Sequence, residues 1–250
     1  YLNDIPGCTS LSKKRHLSAE SNFEYGSRCG IWRLHRLFDA FNLPVTVFAC
    51  GRALVANPEY ASYLKESQHE VAGHGYQWID YSNVPVEIER QHIKQTIHII
   101  EDMTQKQVFG WYTGRKSAST LELIAETDLI YQSDSYADDL PYWISLSQKP
   151  QLIIPYTLVT NDFRYGTSPG FCCNQDFFLE LKAAFDFQYA EAQNHPQLLT
   201  IGLHGRFSGR PSRAHAIKCF LEYIAEKDNI WTPTRALIAE FYHRELQVKL

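Results

Sequence analysis

Two histidines close apolar, strand-like runs. His74 follows Glu70-Val71-Ala72-Gly73, and His204 follows Leu198-Leu199-Thr200-Ile201-Gly202-Leu203. Imidazole is the side chain most readily poised for proton transfer near neutral pH, so a histidine delivered to a strand end is a candidate acid or base. Glycines flank both, and glycine lets backbone come close to a ligand. Three more apolar runs end in polar groups: Trp111-Tyr112-Thr113-Gly114-Arg115, Asp134-Ser135-Tyr136-Ala137-Asp138-Asp139 and Asn161-Asp162-Phe163-Arg164. Trp78 lies four residues beyond His74, and Arg210-Pro211 follows His204. Such a set can carry out hydrolysis, which needs a base for water, donors for an oxyanion and an acid for the leaving group.

These residues act together only if the chain brings the strand ends to one side. The patterning predicts this. Continuous apolar or β-branched runs at 45–50, 70–74, 108–113, 129–135, 152–158, 198–204 and 230–231 read as strands, those at 45–50 and 198–204 as buried ones. Helices are expected over 28–42, 57–67, 84–104, 120–127, 174–193, 211–227 and 235–246. The first carries Ile31, Leu34, Leu37, Phe38 and Phe41 at helical spacing, and the fifth carries Phe177, Phe178, Leu181, Phe185 and Tyr189. Asn57-Pro58 supplies a cap and a first-turn proline. Strand–helix alternation implies parallel strands with right-handed crossovers, and in an α/β barrel the chemistry sits at the carboxyl ends of the strands. No glycine-rich nucleotide fingerprint follows the first strand. The expected architecture is a single α/β domain over 1–250, an incomplete (β/α) barrel of about seven parallel strands. Residues 1–22 form an irregular N-terminal segment of it, without a first barrel strand.

The chain of 250 residues is 44% hydrophobic, enough for one large core. Its net charge is −4 with no long run of either sign, which argues against nucleic-acid and anionic-membrane partners. No apolar run approaches membrane-spanning length, and there is no leader pattern. The six cysteines form no C-x-x-C pair and read as thiols of a reducing, cytoplasmic compartment.

Each candidate also has a structural reading. His204 can be a satisfied core group, Asp138-Asp139 a turn and Arg210-Pro211 a helix start. Arg164 can be the ion-pair partner of Asp162, and Trp111-Tyr112 can be core. What favours function is the coincidence of five polar strand ends.

These segments carry a family resemblance. The chain resembles the polysaccharide deacetylase superfamily, and within it the metal-independent allantoinases. The matching stretches are Glu24-Tyr25-Gly26-Ser27-Arg28, His74-Gly75-Tyr76-Gln77-Trp78-Ile79-Asp80-Tyr81, Gly110-Trp111-Tyr112-Thr113-Gly114-Arg115, Asp134 through Trp143, Pro155-Tyr156-Thr157-Leu158 with Asn161-Asp162, and Gly202-Leu203-His204 with Gly209-Arg210-Pro211. Metal-dependent members hold their ion with a first-strand Asp and two His four residues apart. Here His74 stands at the first His position and Trp78 at the second, and an indole cannot ligate a metal.

The resemblance therefore implies opening of a cyclic ureide amide, allantoin to allantoate, with no metal and no cofactor. It implies His204, His74 and Asp162 as the catalytic residues, and Glu24, Trp78, Arg115, Asp134, Asp138, Asn161 and Arg210 as substrate-binding ones. His204 would transfer protons, and His74 would orient water or donate to the oxyanion. The partner is a small molecule, and a homotetramer is implied. Three alternatives remain: a metal-dependent N-deacetylase of chitin or peptidoglycan sugars, a cyclic imide hydrolase, and a non-catalytic barrel relative.

Overall fold

The computed structural model describes residues 17–245. In chain order these form α1 (Leu17–Tyr25), a π-helical turn (Gly26–Gly30), α2 (Ile31–Ala40), β1 (Thr46–Ala49), α3 (Gly51–Val55), α4 (Pro58–Glu66) and β2 (Glu70–Gly73). A 3-10 turn (Tyr81–Asn83), α5 (Val86–Thr104), β3 (Gly110–Trp111), α6 (Thr120–Ala125), β4 (Tyr131–Gln132), β5 (Tyr142–Ile144) and β6 (Gln151–Ile153) follow. The chain then runs through a second 3-10 turn (Asp162–Gly166), α7 (Asn174–Glu191), α8 (Pro211–Ala225) and α9 (Arg235–Glu245).

Two compact units result, each built from separated stretches of chain. The first takes Pro44–Tyr156 and the segment from Thr232 onward, and the second takes the segment up to Leu43 with Thr157–Trp231.

The first unit holds all six strands of one sheet, in the order β1-β2-β3-β4-β6-β5. Every neighbouring pair is parallel except β5 with β6. The sheet is thus mostly parallel, as expected. The β5 strand was not expected, and it pairs antiparallel along β6, Trp143 opposite Leu152. Register and alternation put Thr46 and Phe48, Glu70 and Ala72, Tyr131 and Leu152 on one face. His74, Tyr112, Ser133 and Tyr156 continue that face beyond the strand ends. The other face carries Trp111, whose ring covers Gly73 so closely that a Cβ there would stand 2.2 Å from it.

Arg235, at the start of α9, is buried against the first face. It donates to Ser133 Oγ at 3.1 Å and to the carbonyls of Ile154 and Pro155 at 2.9 and 3.0 Å. Beside it, Glu70 accepts from Thr46 Oγ1 at 2.6 Å, Tyr131 Oη at 2.7 Å and Ala236 N at 2.9 Å. These contacts tie the C-terminal helix to β1, β2 and β4.

The second unit is helical, with α7, α8 and α2 around Leu34, Phe38, Phe177, Leu181, Ile217 and Phe220. Two expected strands are absent among the described residues. Residues 198–204 make one isolated parallel bridge, Asn161 to Gly202, closed by Asp162 N to Gly202 O and Gly202 N to Thr160 O, both 3.0 Å. Residues 230–231 are irregular, with Trp231 61% exposed. The segment read as irregular is instead helical from Leu17, its earlier part lying outside the described residues. So the described count is six strands, one of them antiparallel, against the seven parallel strands expected.

Gly30 explains how α2 and its π-helical entry meet the loop after His204. A Cβ on Gly30 would lie 1.9 Å from the Gly205 carbonyl oxygen, and one on Gly209 would lie 2.3 Å from Gly30 Cα. Only glycine permits this backbone contact.

Candidate active site

The second unit brings Asp162 and His204 together. The Asp162 side chain is fully buried and the His204 ring is 27% exposed. Asp162 Oδ1 lies 2.6 Å from His204 Nδ1. Its Oδ2 accepts from the backbone N–H of His204 at 2.8 Å and of Ser208 at 3.0 Å. The carboxylate therefore fixes Nδ1 as the protonated nitrogen and the loop that carries the ring. Nε2, which has no hydrogen-bond partner among the described residues, is left as the basic atom. A histidine tied by a buried aspartate is built to take a proton and to be stabilised as an imidazolium.

Other candidates of this unit serve the frame. Asn161 is buried, accepts from Phe163 N at 3.0 Å and donates to the Thr157 carbonyl at 3.0 Å, so its side chain caps the 3-10 turn. Arg210 precedes Pro211 at the start of α8, as its structural reading held. Its guanidinium lies 3.6 Å over the Tyr25 ring and donates to Asn22 Oδ1 at 2.8 Å. Glu24 is exposed on α1, with no hydrogen bond or ion pair among the described residues. Arg164 is not the partner of Asp162. It pairs with Glu180 at 3.4 Å and lies over the Phe171 ring.

The first unit sets His74 at the end of β2. Its Nδ1 faces the Tyr112 carbonyl at 2.5 Å, and its ring stacks on Tyr112 at 5.2 Å and 9°. A carbonyl only accepts, so Nδ1 bears the proton and Nε2 is the acceptor of the neutral ring. Phe48 and Tyr156 extend the stack, with Tyr112 to Tyr156 at 4.3 Å and Phe48 to Tyr112 at 5.3 Å. Burial, with Tyr136 hydroxyl 2.8 Å away, holds the Tyr112 phenol far above its ordinary range, so it stays protonated.

Trp78 and Arg115 form a second pair, the guanidinium 4.4 Å over the indole. Asp134 is buried, and its two oxygens accept from Thr113 N and Gly114 N at 2.8 Å each. It clamps the turn that presents Arg115. Burial pushes its pKa up, and the two N–H donors pull it back. Asp138 is exposed and accepts from Leu140 N at 3.0 Å, the turn its structural reading held. Tyr112, Tyr156 and Phe48 were not singled out as site residues. Strand alternation from His74 is the signal that finds Tyr112, while Arg235 gave none.

Metal chemistry of the superfamily kind needs three ligands, and the side chains present do not fit it. The position four residues beyond His74 is an indole, which has no lone pair to give a metal, and no group of three or more His, Cys, Asp or Glu stands ready for a metal ion among the described residues. The five described cysteines are thiols without disulfide partners, and no helix among the described residues is long and apolar enough to cross a membrane.

The polysaccharide deacetylase family model matches residues 13–131. A Schizosaccharomyces pombe protein described as a putative polysaccharide deacetylase is 40% identical over 244 residues, covering 90% of this chain and 76% of its own. This chain belongs to the polysaccharide deacetylase family. Among solved structures, a Pseudomonas aeruginosa PAO1 protein titled a probable polysaccharide deacetylase matches with TM-score 0.95 and 43% identity, over 100% of this chain and 84% of that one. A Puue allantoinase matches with TM-score 0.95 and 40% identity, over 100% and 83%. The mostly parallel sheet agrees with the incomplete α/β barrel expected of this family.

Proposed function

We propose that this member of the polysaccharide deacetylase family hydrolyses a carbon–nitrogen bond in a small cyclic ureide, with allantoin as the substrate and allantoate as the product, without a bound metal. The observation that carries the reading is Trp78, packed under Arg115 at 4.4 Å, where metal-dependent hydrolysis would need a second imidazole. The 40% identity to an allantoinase supports the choice of substrate.

With no Lewis acid, proton transfer falls to side chains. His204 Nε2 takes a proton as water adds to the ring carbonyl, and Asp162 stabilises the resulting imidazolium through the 2.6 Å contact at Nδ1. The same imidazolium returns the proton to the departing nitrogen. In the first unit His74 gives its Nδ1–H to Tyr112 O, which makes Nε2 the basic atom of the neutral ring.

The second reading, N-deacetylation of chitin or peptidoglycan sugars, is favoured by the names of the S. pombe and P. aeruginosa relatives. One panel decides: allantoin, a dihydropyrimidine, a cyclic imide and N-acetylglucosamine oligomers, each with and without a chelator. Allantoin ring opening that survives chelation is expected. Acetate release lost on chelation, with allantoin untouched, would sink the ring-opening reading.

A further inference from the structure

The segment that carries His204 is rich in positive charge. The chain carries a net charge of −4, yet residues 204–213 hold Arg206, Arg210 and Arg213 and no acid. Two of these guanidiniums converge on one ring. Arg206 lies 4.7 Å from the Phe207 ring centroid and 4.6 Å from that of Phe23. Arg213 lies 6.0 Å from Phe207 and 4.2 Å from Tyr165. Phe207 is the ring that meets His204, at 5.9 Å and 79°. The imidazole of the dyad therefore shares one aromatic platform with two cations.

A guanidinium laid on an aromatic face keeps its in-plane N–H donors, and their fork matches a carboxylate. Arg213 has no carboxylate partner among the described residues. Asp162, which holds the His204 loop, is fully buried and occupied by His204 and two backbone N–H groups. Two buried hydroxyls of the same cluster, Ser208 Oγ and Tyr165 Oη, lack partners among the described residues. A buried donor without an acceptor is costly, so an oxygen-rich anion would satisfy what the protein leaves open. The 15-residue helix α8 starts at Pro211 and adds its positive end to the same segment.

We propose that Arg206 and Arg213, set on Phe207, recognise a carboxylate, and that this carboxylate is the one created when a ring amide is hydrolysed at His204. The proposal rests on the ring-opening reading. In that step water adds to the carbonyl carbon and the C–N bond breaks. The nitrogen leaves with a proton as a neutral ureido group, and the new acid loses one proton to solvent. A neutral ring thus becomes a monoanion. The two arginines act as specificity residues for that anion and move no proton.

Calorimetric binding to the full chain tests this without turnover. The probes are N-carbamoylglycine, a ureido acid, and its uncharged amide. The acid is expected to bind at least about tenfold more tightly than the amide, with the advantage shrinking as salt rises. Arg213→Gln should abolish the advantage, while Arg213→Lys should keep part of it. Equal binding of acid and amide, or an undiminished advantage in an Arg213→Gln protein with parental circular dichroism and melting, would overturn the proposal. Should Arg213→Gln not fold, Arg206→Gln and the salt series decide on the same criterion. Binding separates the two readings: acid preference with no ureide turnover would reject ring opening and leave the anion site standing.

Discussion

Asp162 is the single residue on which the proposed proton transfer leans most. Its carboxylate meets one side-chain donor and two backbone donors, so it both orients the imidazole and shapes the loop that bears it. Asp162→Asn keeps the volume and removes the charge that stabilises the imidazolium. We expect kcat to fall by about 10²–10⁴ and KM to change little, as read by steady-state allantoin kinetics. A KM effect alone, with kcat retained, would reassign Asp162 to binding. Arg164→Ala should leave kcat within a few-fold, because Arg164 pairs with Glu180 and not with the dyad. His204 and Asp162 were both legible in the sequence, each at the end of an apolar run. Their pairing was not, since 42 residues separate them and no periodicity links them.

At the scale of elements, legibility followed the strength of the local pattern. The striped helices α2, α5, α7 and α8 begin and end within a few residues of expectation. The segment Leu17–Tyr25 was missed because Ser18, Ser21 and Asn22 have weak helix propensity and no apolar stripe marks it. Its neighbour Gly30 is where helix and dyad loop touch. Gly30→Ala would drive a methyl group to 1.9 Å from the Gly205 carbonyl, backbone against backbone, with no flexible side chain to yield. We expect a loss of about 1–3 kcal/mol or more, seen as a lower melting temperature, together with a drop in kcat as the His204 loop moves. Gly26→Ala, whose Cβ would stand 3.0 Å from Arg206 N, should be milder on both measures.

Helix α9 owes its place to a buried arginine and a buried glutamate that sequence reading did not foresee. Arg235→Leu would leave Ser133 Oγ and the buried carbonyls of Ile154 and Pro155 without their donor and should cost about 1–3 kcal/mol. Burial pushes the Glu70 pKa above the usual carboxylate range, while its hydrogen-bond donors and Arg235 pull it down. In the window between the unfolded and the raised folded value, the folded state holds a proton that the unfolded state has released, so this group makes stability fall as pH rises. Glu70→Gln removes the dependence. The parent should therefore lose ground to the Glu70→Gln variant as pH rises above the ordinary carboxylate range, read as urea midpoints. A difference that does not change with pH would remove the raised pKa assigned to Glu70, and a parent that gains ground would reverse its sign.

The whole molecule conceals its organisation from a linear reading. Each compact unit takes two separated stretches, so no linker of distinctive composition marks where one gives way to the other. Family membership was legible even so, because it rests on short segments spread along the chain. The same spread makes metal dependence a property to be measured on the intact protein. A metal that binds the native state and not the unfolded one raises stability by RT ln(1 + [L]/Kd), about 2.7 kcal/mol at a hundredfold excess over Kd. A catalytic ion must therefore register in melting as well as in rate. With an indole at position 78, and no group of three or more metal-ligating side chains among the described residues, a three-ligand site cannot be completed from them. We expect melting temperature and allantoin turnover to agree, within error, between chelator-treated protein and protein given excess zinc. Weak zinc binding at the exposed neighbours Cys172 and Cys173 would appear in elemental analysis without moving turnover. Stoichiometric zinc that raises both melting temperature and rate would mean that ligands outside the described residues complete a site, and the ring-opening chemistry would then pass from His204 acting as base to a metal-activated water.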